Sequence, residues 1–304
     1  MYKLLFDKYK TPKVFIQIIA STMLMLFGTI VFGILIAEVF VAILGIQTVE
    51  ELNNYAFISP IITIVSYALV CRLLVTMFSR ANRTNAKAMG LYFDKNSRKK
   101  ALLGFFMAAI AIAIYLVVSY GLGTVSISKG ESNMLMLLFI AGELVTVFGE
   151  ELLFRGYIQR LLMTRYSIEY SIIVSMLIVA GYTFTFSWNG LLPAIALMIK
   201  TLLLSLLLYK SGSIVMPYCF HAGINLVSRY FLGINSVTNS LLRIGTDNNI
   251  FFGSSEAGFE SGIVMMIIYT ILCLIVIFKY PKVDNEAQEF KDIKAKYSNN
   301  KKGK

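Results

Sequence analysis

Runs of about 20 apolar residues recur along this chain, each long enough as a helix to span roughly 30 Å of hydrocarbon. They limit what the chain can fold into more than any other feature. The runs fall at residues 14–44, 56–78, 101–122, 133–154, 170–187, 190–209, 213–233 and 261–279. The fold class this implies is all-α: a polytopic transmembrane helical bundle of about eight spans. The first run is long for one crossing, so it is expected to tilt or extend past the bilayer. The fifth and seventh are short and carry polar residues. Only the turn Ser187-Trp188-Asn189-Gly190 and the stretch Lys210-Ser211-Gly212-Ser213 divide the apolar pattern between them. Composition agrees: 57% of the 304 residues are hydrophobic and 15% are charged, against about 25% charged in soluble domains.

Lys and Arg collect in alternate connections. The N-terminal tail, residues 79–100, the segment of Arg155, Arg160 and Arg165, Lys210 and the C-terminal tail, counted with Lys279 just before it, hold 23 of the 28. The opposite connections hold Lys129, Arg229 and Arg243, while Arg72 and Lys200 fall inside spans. Positive residues favour the cytoplasmic side, so both termini are expected there, in the cell membrane. The net charge of +11 then reads as topology and attraction to anionic membrane lipid. A nucleic-acid partner is not expected, because the basic residues are split among five segments.

By sequence the chain divides into residues 1–100, an N-terminal transmembrane region with a basic cytoplasmic loop, residues 101–280, a transmembrane core, and residues 281–304, a Lys-rich cytoplasmic tail. The tail reads as polar and partly disordered, with Lys-Asp-Ile-Lys-Ala-Lys as a short surface helix. Residues 234–260 read as the largest outer loop. The first apolar run is far longer than the core of a signal peptide and is expected to stay as an anchor. Cys71, Cys219 and Cys273 lie in apolar runs without metal-ligand spacing, and read as buried thiols.

Ionisable groups inside a span are costly and usually face protein or a water-filled cavity. Glu38 and Arg72 sit toward span ends, where Arg72 can snorkel. Glu143 and Lys200 lie deeper, and an ion pair between them is expected. The densest cluster is Gly149-Glu150-Glu151-Leu152-Leu153-Phe154-Arg155-Gly156. Glu151 and Arg155 are i,i+4 on a helix, so the guanidinium can hold that carboxylate. Glu150 is rotated about 100° away, and in a cavity suits a general base acting on water. A charged helix end at the interface explains the same residues equally well. His221 and Asn225 form a second i,i+4 pair at comparable depth. They suit either hydrogen bonding to a developing oxyanion or helix packing.

At these residues the chain resembles the CPBP family, the CAAX proteases and bacteriocin-processing enzymes also called Abi proteins. Three motifs on separate transmembrane helices mark that family: E-E-x-x-x-R, F-x-x-x-H and H-x-x-x-N. The first matches at Glu150, Glu151 and Arg155, within Glu-Glu-Leu-Leu-Phe-Arg-Gly-Tyr-Ile-Gln-Arg, and the third at His221 and Asn225. The similarity covers about residues 135–230. The second motif departs: at the family's spacing its Phe and His fall at Val179 and Thr183, and His221 is the only histidine in the chain.

The resemblance implies an intramembrane endopeptidase cleaving a membrane-inserted or lipid-anchored peptide near the cytoplasmic face. In it Glu150 is the base, Glu151 and Arg155 support it, and His221 with Asn225 bind the oxyanion. Thr183 stands where the family has an imidazole; its hydroxyl can hydrogen-bond a water but cannot hold a proton near neutral pH. One His with two Glu makes a poor zinc site, so neither metal nor cofactor is expected. The other reading is a catalytically degenerate scaffold or regulator of an envelope, signalling or bacteriocin-immunity partner. A transporter is a third class, but the repeat and broken-helix signals of such folds are not evident here. The charge alternation makes a direct prediction. Single cysteines in either tail or in residues 79–100 should escape an impermeant thiol reagent applied to intact cells, and cysteines in residues 234–260 should react. The opposite labelling pattern would overturn the eight-span arrangement.

Overall fold

The computed structural model describes residues 6–7, 11–186, 190–234, 239–246, 249–253, 258–281 and 286–298. Several residues discussed above therefore lie outside the described ones: Ser187, Trp188 and Asn189 of the expected turn, and Lys3, Lys8, Lys10, Lys282, Lys301, Lys302 and Lys304 of the tails. The chain is all-α apart from one short strand pair. A helix occupies each of the eight expected positions: α1 (Val14–Leu44), α2 (Ile58–Asn82), α3 (Ser97–Gly121), α4, α5 (Ile168–Phe186), α6 (Leu191–Ser211), α7 and α8 (Ile263–Lys279). Helix α4 begins as Leu135–Glu151, continues as a π-helix over Leu152–Gln159 and closes with an α turn at Arg160–Met163. Helix α7 runs over Val215–Asn225 and continues as a π-helix over Leu226–Phe231. Among the described residues α1, α2, α3 and α6 are long and apolar enough to cross a membrane, and α8 and the Ile168–Thr183 part of α5 are shorter apolar helices. This is a membrane protein, and its outward-facing side chains fit that solvent: Phe15, Phe27, Ile43, Val117 and Phe278 all stand exposed on helices.

The chain forms two compact units that interleave in sequence. The first comprises Met1–Tyr92, Leu137–Tyr166 and Ala287–Lys304. Its helices are joined by buried amides. Asn82 Nδ2 donates to Gln17 Oε1 at 2.9 Å, Gln17 Nε2 donates to the Pro12 carbonyl at 2.8 Å, and the Tyr157 hydroxyl reaches Gln17 Oε1 at 3.4 Å. The Tyr157 ring stands edge-on to Phe78 with centroids 5.0 Å apart. Such polar groups hold transmembrane helices together because hydrocarbon offers them no other partner.

The short helix expected in the C-terminal tail is present, and it is docked rather than free on the surface. Residues Gln288–Ser298 form a helix, α9, docked by buried Phe290 and Ile293. The Arg160 guanidinium lies 4.4 Å from the Phe290 ring centroid. The Tyr297 hydroxyl donates to Asp7 Oδ2 at 2.9 Å and accepts from Arg165 Nη2 at 3.0 Å, and Asn85 Nδ2 donates to Glu289 at 3.1 Å. Two apolar residues three apart give the helix one stripe to bury, which a Lys-rich composition conceals. Asp7, Asn85, the end of α4 and α9 thus meet at one end of this unit.

The second unit comprises Phe93–Met136 and Ser167–Glu286. Helix α3 starts just after Asp94, whose Oδ1 accepts from the Ser97 hydroxyl at 2.8 Å and whose Oδ2 lies 2.8 Å from Lys100 Nζ. Burial by itself pushes the Asp94 carboxyl up, but the Lys100 ammonium and the Ser97 hydroxyl hold it below the usual carboxylate range. Strand β1 (Val125–Lys129) pairs antiparallel with β2 (Leu242–Thr246), Ile127 opposite Ile244. The segment expected as a polar outer loop is therefore partly ordered and partly inserted. Phe252 and Phe259 are buried in the unit's core, and the Tyr115 hydroxyl donates to the Phe252 carbonyl at 2.9 Å. At the other end Lys210 Nζ donates to the carbonyls of Ile277 and Tyr280 at 2.9 and 2.8 Å, closing the C-terminus of α8.

Helices α3 and α7 pack with their backbones in near contact. A Cβ on Gly104 would sit 2.5 Å from the Met216 carbonyl oxygen, and one on Gly223 would sit 2.8 Å from the Ala108 Cβ. The pairing rises together along both helices, so the two run in the same direction. Overpacking such a contact typically costs about 1–3 kcal/mol. Gly104→Val should therefore lower the thermal unfolding midpoint of the purified protein in detergent micelles. Gly121→Val, at the open end of α3 where a Cβ meets nothing within 4 Å, should leave it nearly unchanged.

Candidate functional site

Glu150, Glu151 and Arg155 lie in the first unit, where α4 changes its hydrogen-bonding pattern. Glu151 is the last α-helical residue and Arg155 sits inside the π tract that follows. Arg155 Nη1 lies 3.1 Å from Glu151 Oε1, with side-chain exposures of 2% and 0%. The i,i+4 pair expected from the sequence is thus formed, and it is fully buried. Glu150 next to it is half-buried, and its charge is felt at Arg155. The reading of these residues as a charged helix end does not hold. The helix runs on to Met163 instead of stopping near 154, and both Arg155 and Arg160 are buried. A π tract widens the turn and is frequent at functional positions. Here it lets the helix continue past Arg155 while the guanidinium stays on its carboxylate. Arg155 Nε and its second terminal nitrogen have no hydrogen-bond partner among the described residues, so the carboxylate is its counter-charge.

Thr183, His221 and Asn225 lie in the second unit. His221 and Asn225 are both buried, one turn apart on α7, and Asn225 is the last residue before the π tract. Thr183 is half-buried near the end of α5. The sequence groups are therefore held as two sets, one in each unit: a carboxylate pair with its arginine, and an imidazole with a carboxamide one turn away. Glu38 and Arg72 are exposed, as expected of residues near span ends, and Glu143 is half-buried on α4.

Lys200 corrects the sequence reading. Its partner is Glu260, at 2.9 Å from Nζ to Oε2, and not Glu143. Glu260 belongs to a short 3-10 turn, Phe259–Ser261, directly before α8, and its other oxygen accepts a hydrogen bond from the Tyr269 hydroxyl. Burial by itself pushes the Glu260 carboxyl up. Lys200 and Tyr269, with a further contribution from His221, more than offset this and hold it below the usual range. Nothing local in the sequence marks Glu260. Its one signal is position: an acidic residue three places before an apolar run, free to turn inward with the helix end.

Zinc sites generally take three or four protein ligands with His or Cys prominent. Among the described residues no three His, Cys, Asp or Glu side chains gather closely enough to hold an ion.

Removing one member of a buried ion pair leaves the other charge uncompensated, at a cost of about 3–5 kcal/mol. Glu151→Ala should accordingly lower the unfolding midpoint in micelles strongly. The double replacement Glu151→Met with Arg155→Met should recover much of that loss. Glu150→Ala should cost clearly less than Glu151→Ala, since its side chain is only half-buried. Equal losses for the two glutamates would contradict the assignment of Glu151 as the arginine's partner.

Comparison with curated proteins finds no match. Residues 132–227 match the family model described as Type II CAAX prenyl endopeptidase Rce1-like. That stretch covers α4 from its first turn, all of α5 and α6, and α7 through Asn225. It also contains each of Glu150, Glu151, Arg155, Thr183, His221 and Asn225, so the part of this membrane protein similar to that model is the part that carries these residues.

Proposed function

We propose that the chain is an intramembrane endopeptidase that hydrolyses a membrane-inserted or lipid-anchored peptide near the cytoplasmic face. The observation that carries this reading is the Rce1-like match over residues 132–227, because that stretch holds an ordered Glu151–Arg155 pair beside Glu150 and a buried His221–Asn225 pair. Glu150 takes a proton from water, which attacks the scissile carbonyl carbon. His221 and Asn225 donate hydrogen bonds to the oxyanion that forms. On collapse the C–N bond breaks and the proton held by Glu150 passes to the leaving amine. Arg155, locked on Glu151, supplies fixed positive charge beside Glu150. Thr183 orients the water through its hydroxyl. In this reading both tails and residues 79–100 are cytoplasmic, and the host is the cell membrane.

Thr183 is also the observation that favours a second reading. Without an imidazole at that position the chain is a scaffold or regulator of an envelope, signalling or bacteriocin-immunity partner, and it keeps the family's helices without the chemistry. Two variants separate the readings. Glu150→Ala should abolish cleavage of a lipid-anchored peptide by the purified protein, and should abolish cellular function at normal protein abundance. Thr183→His should raise cleavage by about 10²–10⁴-fold, the usual contribution of a positioned acid or base. Normal function in Glu150→Ala, together with no gain in Thr183→His, would reject the protease.

A further inference from the structure

Helices α1 and α2 pack antiparallel within the first unit, Gly28 facing Val70 and Gly33 facing Ile62. Their seam is fixed at two depths. At Gly28 the helices come close, since a Cβ there would sit 3.1 Å from Val70 Cγ2. Near the end of α2, Gln17 and Asn82 exchange side-chain hydrogen bonds. Between these points the seam opens into a groove of about 460 Å³, lined by Leu24 of α1 and by Leu73, Thr76, Met77, Arg80 and Ala81 of α2. The α2 residues recur at spacings of three and four, so they form one stripe along the helix. That stripe is largely apolar and carries a cation toward one end. Leu73 and Arg80, both exposed, are seven residues apart, about 10 Å along the helix axis. The Thr76 hydroxyl donates to the Arg72 carbonyl at 2.8 Å, so the hydroxyl in the lining is satisfied by its own helix.

We infer that this groove holds an anionic phospholipid, with one acyl chain along Leu24, Leu73 and Met77 and the headgroup phosphate on Arg80. Both helices are long and apolar enough to cross a membrane, so an exposed apolar groove between them meets acyl chains, which are as apolar as its leucines. The charges select the lipid. Arg80 stands exposed in the last turn of α2, and among the described residues no carboxylate forms an ion pair with it. Acidic side chains at this end of the unit have partners of their own: Asp7 has Arg165 and Tyr297, and Glu289 has Lys87 and Asn85. Arg83, one turn on, is exposed and adds a second positive charge. A headgroup of net negative charge gains from both cations, whereas a zwitterionic one brings its own cation into the same field. The guanidinium also suits phosphate, because its planar fork can hold two oxygens at once. An arginine near a span end can reach the interface unaided. Here the groove beside it adds a place for the chain, so one molecule can satisfy both.

The test reads lipid binding directly and needs no peptidase activity. The full-length protein, purified in a neutral detergent and freed of native lipid, is titrated with phosphatidylglycerol or with phosphatidylcholine, and the fraction carrying one bound lipid is measured by native mass spectrometry. The wild type should bind phosphatidylglycerol more tightly than phosphatidylcholine. Arg80→Gln should weaken phosphatidylglycerol about five-fold, one cation's share of the attraction to an anionic headgroup. Arg83→Gln removes an equal charge outside the groove lining and should weaken it clearly less. Ala81→Phe fills the groove, keeps the charge and should weaken both lipids. Soluble glycerol 3-phosphate, a headgroup without chains, should fail to displace the bound lipid. Equal losses in Arg80→Gln and Arg83→Gln would reduce the effect to general surface charge and overturn the inference. Equal binding of the two lipids by the wild type, no retained lipid, or displacement by glycerol 3-phosphate would overturn it as well. So would unchanged binding in Ala81→Phe at an unchanged unfolding midpoint. Where Ala81→Phe disturbs the fold, the two arginine variants decide, because both side chains are exposed.

Discussion

A polar group inside a bilayer has no water to fall back on, and several buried polar groups here are answered by another part of the chain. The buried Glu151–Arg155 pair is the clearest case: neither charge is tolerable in hydrocarbon without the other. Much else in the first unit follows the same rule. Gln17, Asn82 and Tyr157 satisfy one another across three helices. Arg160 lies over Phe290, and Arg165 reaches Tyr297 and Asp7. In the second unit Lys200 and Tyr269 share Glu260, and Lys210 closes the end of α8. Each unit is thus knitted by a few polar contacts set within apolar packing. Exposed Phe and Ile side chains on the helix surfaces face lipid at no cost.

The two motif-bearing helices share a local feature. In α4 the π tract begins one residue after Glu151, and in α7 it begins one residue after Asn225. In each case the motif carboxylate or amide marks the end of regular α-helix. A π turn shifts the residues that follow around the helix axis and opens the hydrogen-bonding register. In α4 the helix continues through the π tract with Tyr157, Gln159 and Arg160 buried. In a regular helix the same sequence would turn those later side chains by a different angle.

The second unit packs part of the segment before α8 into its own core. Phe252 and Phe259 fill space beside Tyr115, and the backbone of the segment is tied down by the Tyr115 hydroxyl and by the β1–β2 pairing. A loop that carried only Glu260 would have to move a charge into an apolar region alone. Here the aromatic residues on either side provide the apolar burial, and Lys200 provides the counter-charge. Packing and electrostatics in this region therefore depend on each other.

Local order along the chain determined the helices. Blocks of apolar residues marked where each helix lies, though not always its ends, and a helix needs only its own residues to satisfy its backbone, so all eight positions could be read directly. The Glu151–Arg155 and His221–Asn225 pairings could be read for the same reason, because i,i+4 neighbours meet on any helix. The alternation of Lys and Arg likewise anticipated which segments share an end of the first unit. Other features depended on residues distant in sequence. Lys200 was assigned to Glu143, and only the fold brought Glu260 to it from a turn sixty residues on. The C-terminal helix was expected at Lys-Asp-Ile-Lys-Ala-Lys, but its docking through Phe290 and Ile293 depended on the surface that receives them. The π tracts left no trace in hydropathy, since α and π turns bury the same side chains and differ only in the angle at which packing asks for them. What hydrocarbon requires of a segment can be read from the segment alone, whereas the partner of a buried charge is decided by whichever element the tertiary structure places beside it.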